Sequence, residues 1–222
     1  MITRIIVFLL YFFYAGISVA QHSMNMKGNV KEKKVAVLIY NHVVPLDYVP
    51  SMEIFRAAGH DSEYSVFTVG EKRDSVFTIF GDYVNTRVSF DKCPSIDVLI
   101  IPGGDWIHIM EHKEVVDFIK EQYAKGTILY SVCTGAYVLA KMGLLDNIKS
   151  TSIHAQLNIL KELAPKTIIM SDQSYVDSGQ IITAAGAGTA IDASLHLLER
   201  LSGKEKAGWV ASTILDYPYW KK

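Results

Sequence analysis

Apolar strands alternating with helical patterns at close, regular spacing constrain this chain more than any other feature. Lys34-Val-Ala-Val-Leu-Ile-Tyr40 is an apolar run without clear alternation, which indicates a strand buried on both faces of a parallel sheet. Residues 64–69, 96–101 and 128–132 supply three further strands. A helix is expected over 50–59, with Ser51 as its cap, Glu53 in the first turn and Gly59 as its stop. Another covers 114–125, where Val115, Val116, Phe118, Ile119 and Tyr123 share one side. A hairpin or irregular arm, broken at Gly81-Asp82, occupies 76–88. Beyond residue 133 come a helix to Met142, a short strand over 150–153, a helix over 156–163, strands over 167–170 and 181–183, and a long helix over 188–201. This order predicts an α/β fold: a single-domain, doubly wound, mostly parallel sheet with helices on both faces.

The first twenty residues carry a cationic start at Arg4, an apolar stretch from Ile5 to Ala15, and small residues at Ser18 and Ala20. They read as a signal peptide cleaved after Ala20, which implies export to the periplasm or the exterior. An uncleaved membrane anchor over 1–20 is the alternative; after cleavage no stable membrane span is expected. Residues 21–33 form a flexible lead-in, and 34–222 form the folded domain. Lys and Arg number 22 against 23 Asp and Glu, with no basic stripe beyond Lys31 to Lys34, so nucleic-acid binding is not expected. Neither a zinc spacing nor a Cys-x-x-Cys pair occurs. His108 and His112 stand four apart without an evident third ligand, and neither metal nor cofactor is expected. Cys93 precedes the third strand while Cys133 ends the next one, which sets them on opposite edges of the sheet and argues against a disulfide.

Chemistry concentrates at Cys133. The apolar run Ile128, Leu129, Tyr130 and Val132 stops there, and Ala136, Val138, Leu139 and Ala140 restart at once as a helix. A strand-to-helix turn this tight needs small neighbours, which Gly135 and Ala136 provide, and it projects its central side chain as a nucleophile elbow does. The helix N-terminus is expected to favour thiolate over thiol. The alternative is a buried structural cysteine. Asp47, in the loop after the first strand, lies at the crevice where open α/β sheets bind ligands. It is the candidate proton partner, or else a helix cap or a solvated side chain. Glu53, inside the helix, suits a structural or dimer-contact role. Gly103-Gly104 and the Thr134 amide are candidates for an anion pocket, although two glycines also simply end a strand. The Thr134 hydroxyl is expected to contact substrate or to cap the helix. Trp106 is expected to wall the pocket or to pack on the neighbouring helix. Gly186-Ala-Gly188-Thr189-Ala-Ile-Asp192 opens the last long helix, with Asp192 complementing its dipole.

Taken in order, Val35-Ala-Val-Leu-Ile-Tyr40, Leu46-Asp47, Glu53 with Arg56-Ala-Ala-Gly59, Asp97-Val-Leu-Ile-Ile-Pro-Gly-Gly104, Ser131-Val-Cys-Thr-Gly135 and Thr183 to Asp192 resemble the DJ-1/PfpI family of the class I glutamine amidotransferase-like superfamily. Leu46-Asp47, Cys133-Thr-Gly135 and Gly143-Leu-Leu-Asp146 look most like the isonitrile hydratase subgroup and the sensor-like domains of AraC-type regulators. The resemblance implies a flavodoxin-like fold, a homodimer, Cys133 as nucleophile, and Asp47 as the family's acidic residue once Arg56-Ala-Ala-Gly59 sets the register. Thr134 stands where peptidase-like members carry histidine, so peptidase activity is not expected. Ungapped comparison of the subgroup's Thr-Thr-His-Trp puts Ile153 at the histidine position; a one-residue gap brings His154 there, as a candidate pocket residue. Three functions follow: a cysteine-dependent hydratase or hydrolase acting on a small electrophilic carbon such as an isonitrile or a 2-oxoaldehyde, a redox-responsive protein oxidised at Cys133, or a ligand-binding module without turnover.

Overall fold

The structure is a computed structural model that describes residues 31–60, 62–217 and 220. The segments read as signal peptide and most of the lead-in lie outside the described residues. Among the described residues no helix is long and apolar enough to cross a membrane.

In chain order the elements are β1 (Lys33–Leu38), α1 (Val49–Ala58), β2 (Tyr64–Gly70), β3 (Ser75–Phe77), β4 (Tyr83–Asn85), β5 (Val88–Ser89), β6 (Val98–Ile101), α2 (Trp106–Glu111), α3 (Lys113–Ala124), β7 (Ile128–Val132), α4 (Gly135–Lys141), β8 (Lys149–Ser150), α5 (Leu157–Leu163), β9 (Ile168–Ile169), β10 (Tyr175–Asp177), β11 (Ile181–Ala184), α6 (Ala190–Ser202) and α7 (Lys204–Trp209). The main sheet runs β10-β11-β7-β6-β1-β2-β5. Every neighbouring pair in it is parallel except β10 with β11.

Successive strand residues point to opposite faces, so a strand without polar alternation must be covered on both. Val35 to Leu38 and Val98 to Ile101 are fully buried, as are Leu129, Tyr130 and Val132. The helices that cover them fall into two packed groups: α1 with α6, which continues into α7, and α2 with α3 and α4, with α4 also against α5. The expected doubly wound, mostly parallel α/β architecture is thus what the chain forms.

Two local readings change, and a third, the hairpin broken at Gly81, is borne out with β5 added to it. Strands expected over 150–153 and 167–170 shrink to β8 and β9, which pair only with each other, outside the main sheet. Ser51 does not cap α1, whose cap is Tyr48; the Ser51 hydroxyl is buried and accepts from Ser194 on α6 at 2.8 Å. The arm over 76–88 resolves into the β3–β4 hairpin, bent at Gly81 (φ 89°), and β5, which joins the sheet edge.

The chain lays β1, β2 and β5 outward in one direction, then returns to set β6 on the other side of β1. At that reversal the loops leaving β1 and β6 diverge and open a crevice at the strand ends. The loops after β1, β6 and β7 deliver Asp47, Gly103-Gly104 and Cys133 to this one place.

Candidate active site

Cys133 occupies a left-handed backbone conformation, φ 60°, between β7 and α4. For a residue with a Cβ this costs on the order of 1–3 kcal/mol, and it persists only where the surroundings enforce it. Here they do. The Cys133 N–H donates to the Ala184 carbonyl at 3.0 Å, and its own carbonyl accepts from Ser152 Oγ at 2.7 Å. Two residues on, a Cβ at Gly135 would lie 2.1 Å from the Ile101 carbonyl oxygen. The first turn of α4 is therefore pressed against the end of β6, as only glycine permits.

Asp47 ends a short 3-10 turn over Pro45–Asp47 and is 1% exposed. It neither caps α1 nor meets solvent. Its Oδ2 accepts from the Gly103 N–H at 2.9 Å, while no hydrogen-bond partner completes Oδ1. The Cys133 thiol is the group that interacts with this carboxyl from the elbow side. Gly103 is the hinge of the arrangement: a Cβ there would meet Asp47 Oδ2 at 2.5 Å and Cys133 Cβ at 2.9 Å.

Burial dominates the electrostatics. It raises the Asp47 carboxyl to about 6, against the smaller lowering from the Gly103 N–H and the Cys133 thiol. It also pushes the Cys133 thiol up to about 12, with the Asp47 charge adding to the rise and the Thr134 amide and hydroxyl opposing it. The expected thiolate preference is reversed, because one helix terminus does not offset desolvation next to a carboxylate. At neutral pH the pair shares one negative charge and one proton.

The anion pocket also differs from expectation. The Gly103 N–H is engaged by Asp47, and the Gly104 N–H donates to Thr134 Oγ1 at 2.9 Å. The Thr134 hydroxyl donates back to the Gly104 carbonyl at 3.2 Å, so it locks the β6 loop and caps nothing. Of the three expected amides, the one that faces the sulfur is that of Thr134.

Trp106 begins α2 half-buried, edge-on to Tyr137 of α4, with ring centroids 5.6 Å apart. His154 is exposed and sits in a 3-10 turn, its Nε2 3.0 Å from the Gln173 carbonyl oxygen. No described hydrogen bond joins it to Cys133, whereas Ser152, two residues earlier, reaches the elbow backbone. Both cysteines are free thiols.

Tyr40 was not foreseen. Its hydroxyl donates to the Pro102 carbonyl at 2.9 Å, and burial first, then Asp47, Cys133 and Asp105, hold it well above the usual tyrosine range. A neutral phenol therefore braces the β6 loop beside the buried carboxylate. Its place as the last residue of the first strand run, at the sheet's carboxyl edge, was the available signal.

The sequence pattern of the DJ-1/PfpI family matches residues 33–200. An isonitrile hydratase from Pseudomonas putida is 29% identical over 175 residues, covering 78% of this chain and 74% of that protein. Protein dj-1beta of Drosophila melanogaster is 27% identical over 187 residues, covering 82% and 97%. The crystal structure of Drosophila DJ-1beta matches with a TM-score of 0.74 at 25% identity, over 83% of this chain and 98% of that one.

Proposed function

The chain belongs to the DJ-1/PfpI family, and on that footing we propose that it is a cysteine-dependent hydratase acting on a small isonitrile, with Cys133 as nucleophile and Asp47 as its proton carrier. The observation that carries this reading is the buried Asp47 carboxylate, one oxygen fixed by the Gly103 N–H and the other without a hydrogen-bond partner, in a site where the Cys133 thiol also interacts with it. Such a group removes a proton from sulfur and returns it to the reacting carbon.

The chemistry runs in two stages. As sulfur adds to the terminal carbon of the isonitrile, Asp47 takes the S–H proton and then delivers it to that carbon. An S–C and a C–H bond form, the carbon–nitrogen triple bond becomes double, and a thioimidate results. Water then adds to the same carbon, Asp47 relays its proton to nitrogen, and the C–S bond breaks. An N-substituted formamide leaves, and the thiol regains its proton. Proton transfer within the pair leaves the charge of the buried site unchanged, so the desolvation cost is nearly the same before and after it.

A 2-oxoaldehyde is the second candidate substrate. Attack on its carbonyl places negative charge on oxygen, which requires free donors aimed at that oxygen. With the Gly103 and Gly104 amides engaged, the site suits isonitrile addition better, because the added electrons there are neutralised by a proton on carbon. The high thiol also weighs against the redox reading, since thiolate is the oxidisable form.

The test is conversion of a small aliphatic isonitrile, followed by NMR of the formyl proton. Wild type should turn over, while Cys133→Ser and Asp47→Asn should not. Turnover retained in Cys133→Ser removes the mechanism; wild-type conversion of a 2-oxoaldehyde in place of the isonitrile transfers it to the second substrate. We further propose export through residues 1–20 and a homodimeric state, checked by intact mass of the recovered protein and by light scattering.

A further inference from the structure

Outside this site, two histidines stand with their ring nitrogens turned to one another. His108 lies in α2, and His112 is the residue at which α2 ends and α3 begins. The run His108-Ile-Met-Glu-His112 has the His-x-x-Glu-His order in which some metallopeptidases place two zinc ligands one helical turn apart. Because His112 has left the helix (φ −89°, ψ 98°), its ring turns edge-on to that of His108. The two Nε2 atoms are 3.2 Å apart.

The outer nitrogen of His112 fixes its tautomer. His112 Nδ1 is 3.1 Å from Glu71 Oε2, and His108 Nδ1 is 3.7 Å from Glu111 Oε2. A carboxylate only accepts, so His112 Nδ1 carries its hydrogen toward Glu71, whereas 3.7 Å is too long for a hydrogen bond from His108 Nδ1 to Glu111. The Nε2 of His112 then accepts from the Nε2–H of His108. That one shared hydrogen lies where a metal ion bridging the two nitrogens would sit.

Metal-bound histidines carry the support that Glu71 gives His112, a carboxylate behind the nitrogen that does not ligate. The distance also fits: with Zn–N bonds of about 2.0–2.1 Å, a 3.2 Å separation gives an N–Zn–N angle of about 100°, close to tetrahedral. The pair borders an open cavity of about 290 Å³, lined also by Tyr40, Glu71, Asp74 and Thr86. Among the described residues no group of three or more His, Cys, Asp or Glu side chains is placed to hold a metal, so two protein ligands would leave the remaining positions to water or a small ligand.

We propose that His108 and His112 bind one divalent late first-row metal ion, zinc or copper, through their Nε2 atoms, the ion replacing the hydrogen they share, with Glu71 orienting the His112 ring and the open positions facing the cavity. Imidazole suits both ions. The site is separate from Cys133 and does not rest on the hydratase reading. Calorimetric titration of zinc chloride into the purified protein should give one equivalent bound, lost in His108→Ala and in His112→Ala. Glu71→Gln should weaken binding by about ten- to a hundredfold, as loss of such support does. Copper(II) added to wild type should show hyperfine coupling to two imidazole nitrogens by electron paramagnetic resonance, a readout that needs no variant to fold. No uptake by wild type, or uptake unchanged in the double alanine variant, overturns the proposal. So does nitrogen NMR showing an Nε2–H on either ring in the presence of equimolar zinc, since the pair would then be joined by a proton.

Discussion

Replacing Asp47 by Asn should make the protein more stable at neutral pH and leave it nearly unchanged in acid. In the fold the carboxyl titrates at about 6 against an ordinary 3.8, because it is buried with only one oxygen satisfied. Its folded pKa is raised, so between those values the native state holds a proton that the unfolded chain has released. Stability therefore falls as pH rises through this window and stays lowered above it. At 1.36 kcal/mol per pKa unit, the rise corresponds to about 3 kcal/mol. Asparagine keeps an oxygen for the Gly103 N–H and carries no charge to desolvate. Urea unfolding of wild type and Asp47→Asn at pH 4, 5, 6 and 7.5 measures the effect as a double difference, in which all other titrating groups cancel. The variant should gain about 2.4 kcal/mol on wild type between pH 4 and 7.5, since the unfolded carboxyl is already partly ionised at pH 4, or about 5–10 °C in melting temperature for a domain of this size. A difference that does not vary with pH would refute the argument that the ionised carboxylate is held at a cost.

Isonitrile turnover should rise through about pH 6, as Asp47 ionises and becomes able to accept the thiol proton; a profile flat from pH 5 to 8 would remove it as the base. Alkylation of Cys133 by iodoacetamide at pH 8 should be faster in Asp47→Asn than in wild type, because loss of the neighbouring charge lowers the thiol pKa; peptide mass spectrometry, with Cys93 as internal reference, reads the ratio. Thr134→Val leaves the Gly104 N–H without its acceptor and should cost about 1–3 kcal/mol in urea unfolding. Gly135→Ala drives a methyl group into the Ile101 carbonyl and should cost more than the Thr134 change, with loss of soluble protein as the simplest readout.

What the sequence revealed follows from which forces act locally. The unalternating runs at Val35 to Leu38 and Val98 to Ile101 announce a two-sided sheet because burial selects every residue in them. Cys133 stood out because strand and helix periods meet there without a linker. Asp47 was legible from its loop after the first strand and from the register of Arg56-Ala-Ala-Gly59; nothing in Leu46-Asp47 itself distinguishes a buried carboxylate from a solvated one. The six-residue helix at Trp106–Glu111 and the three-residue strand at Tyr175–Asp177 are too short to show a period, and both went unread. The thiol preference was misjudged for a different reason: the helix terminus is written in the sequence, but the desolvation that outweighs it is a property of the assembled site. Engagement of the Gly103 and Gly104 amides likewise depends on partners 56 and 30 residues away.

The Gly103 N–H has a kinetic meaning beyond the charge it holds. It ties the loop after β1 to the loop after β6 across 56 residues, inside a buried crevice. Neither loop can fray alone without stranding the other's polar group, so opening there must be cooperative with the sheet ends beneath it. The Gly103 amide should thus exchange its hydrogen with solvent about as slowly as the core strands, and its protection factor would clock the lifetime of the intact site. Since these contacts join distant parts of the chain, refolding should complete them late, after β1 and β6 have paired. Catalytic competence would then return as one of the last events of refolding, behind the recovery of secondary structure.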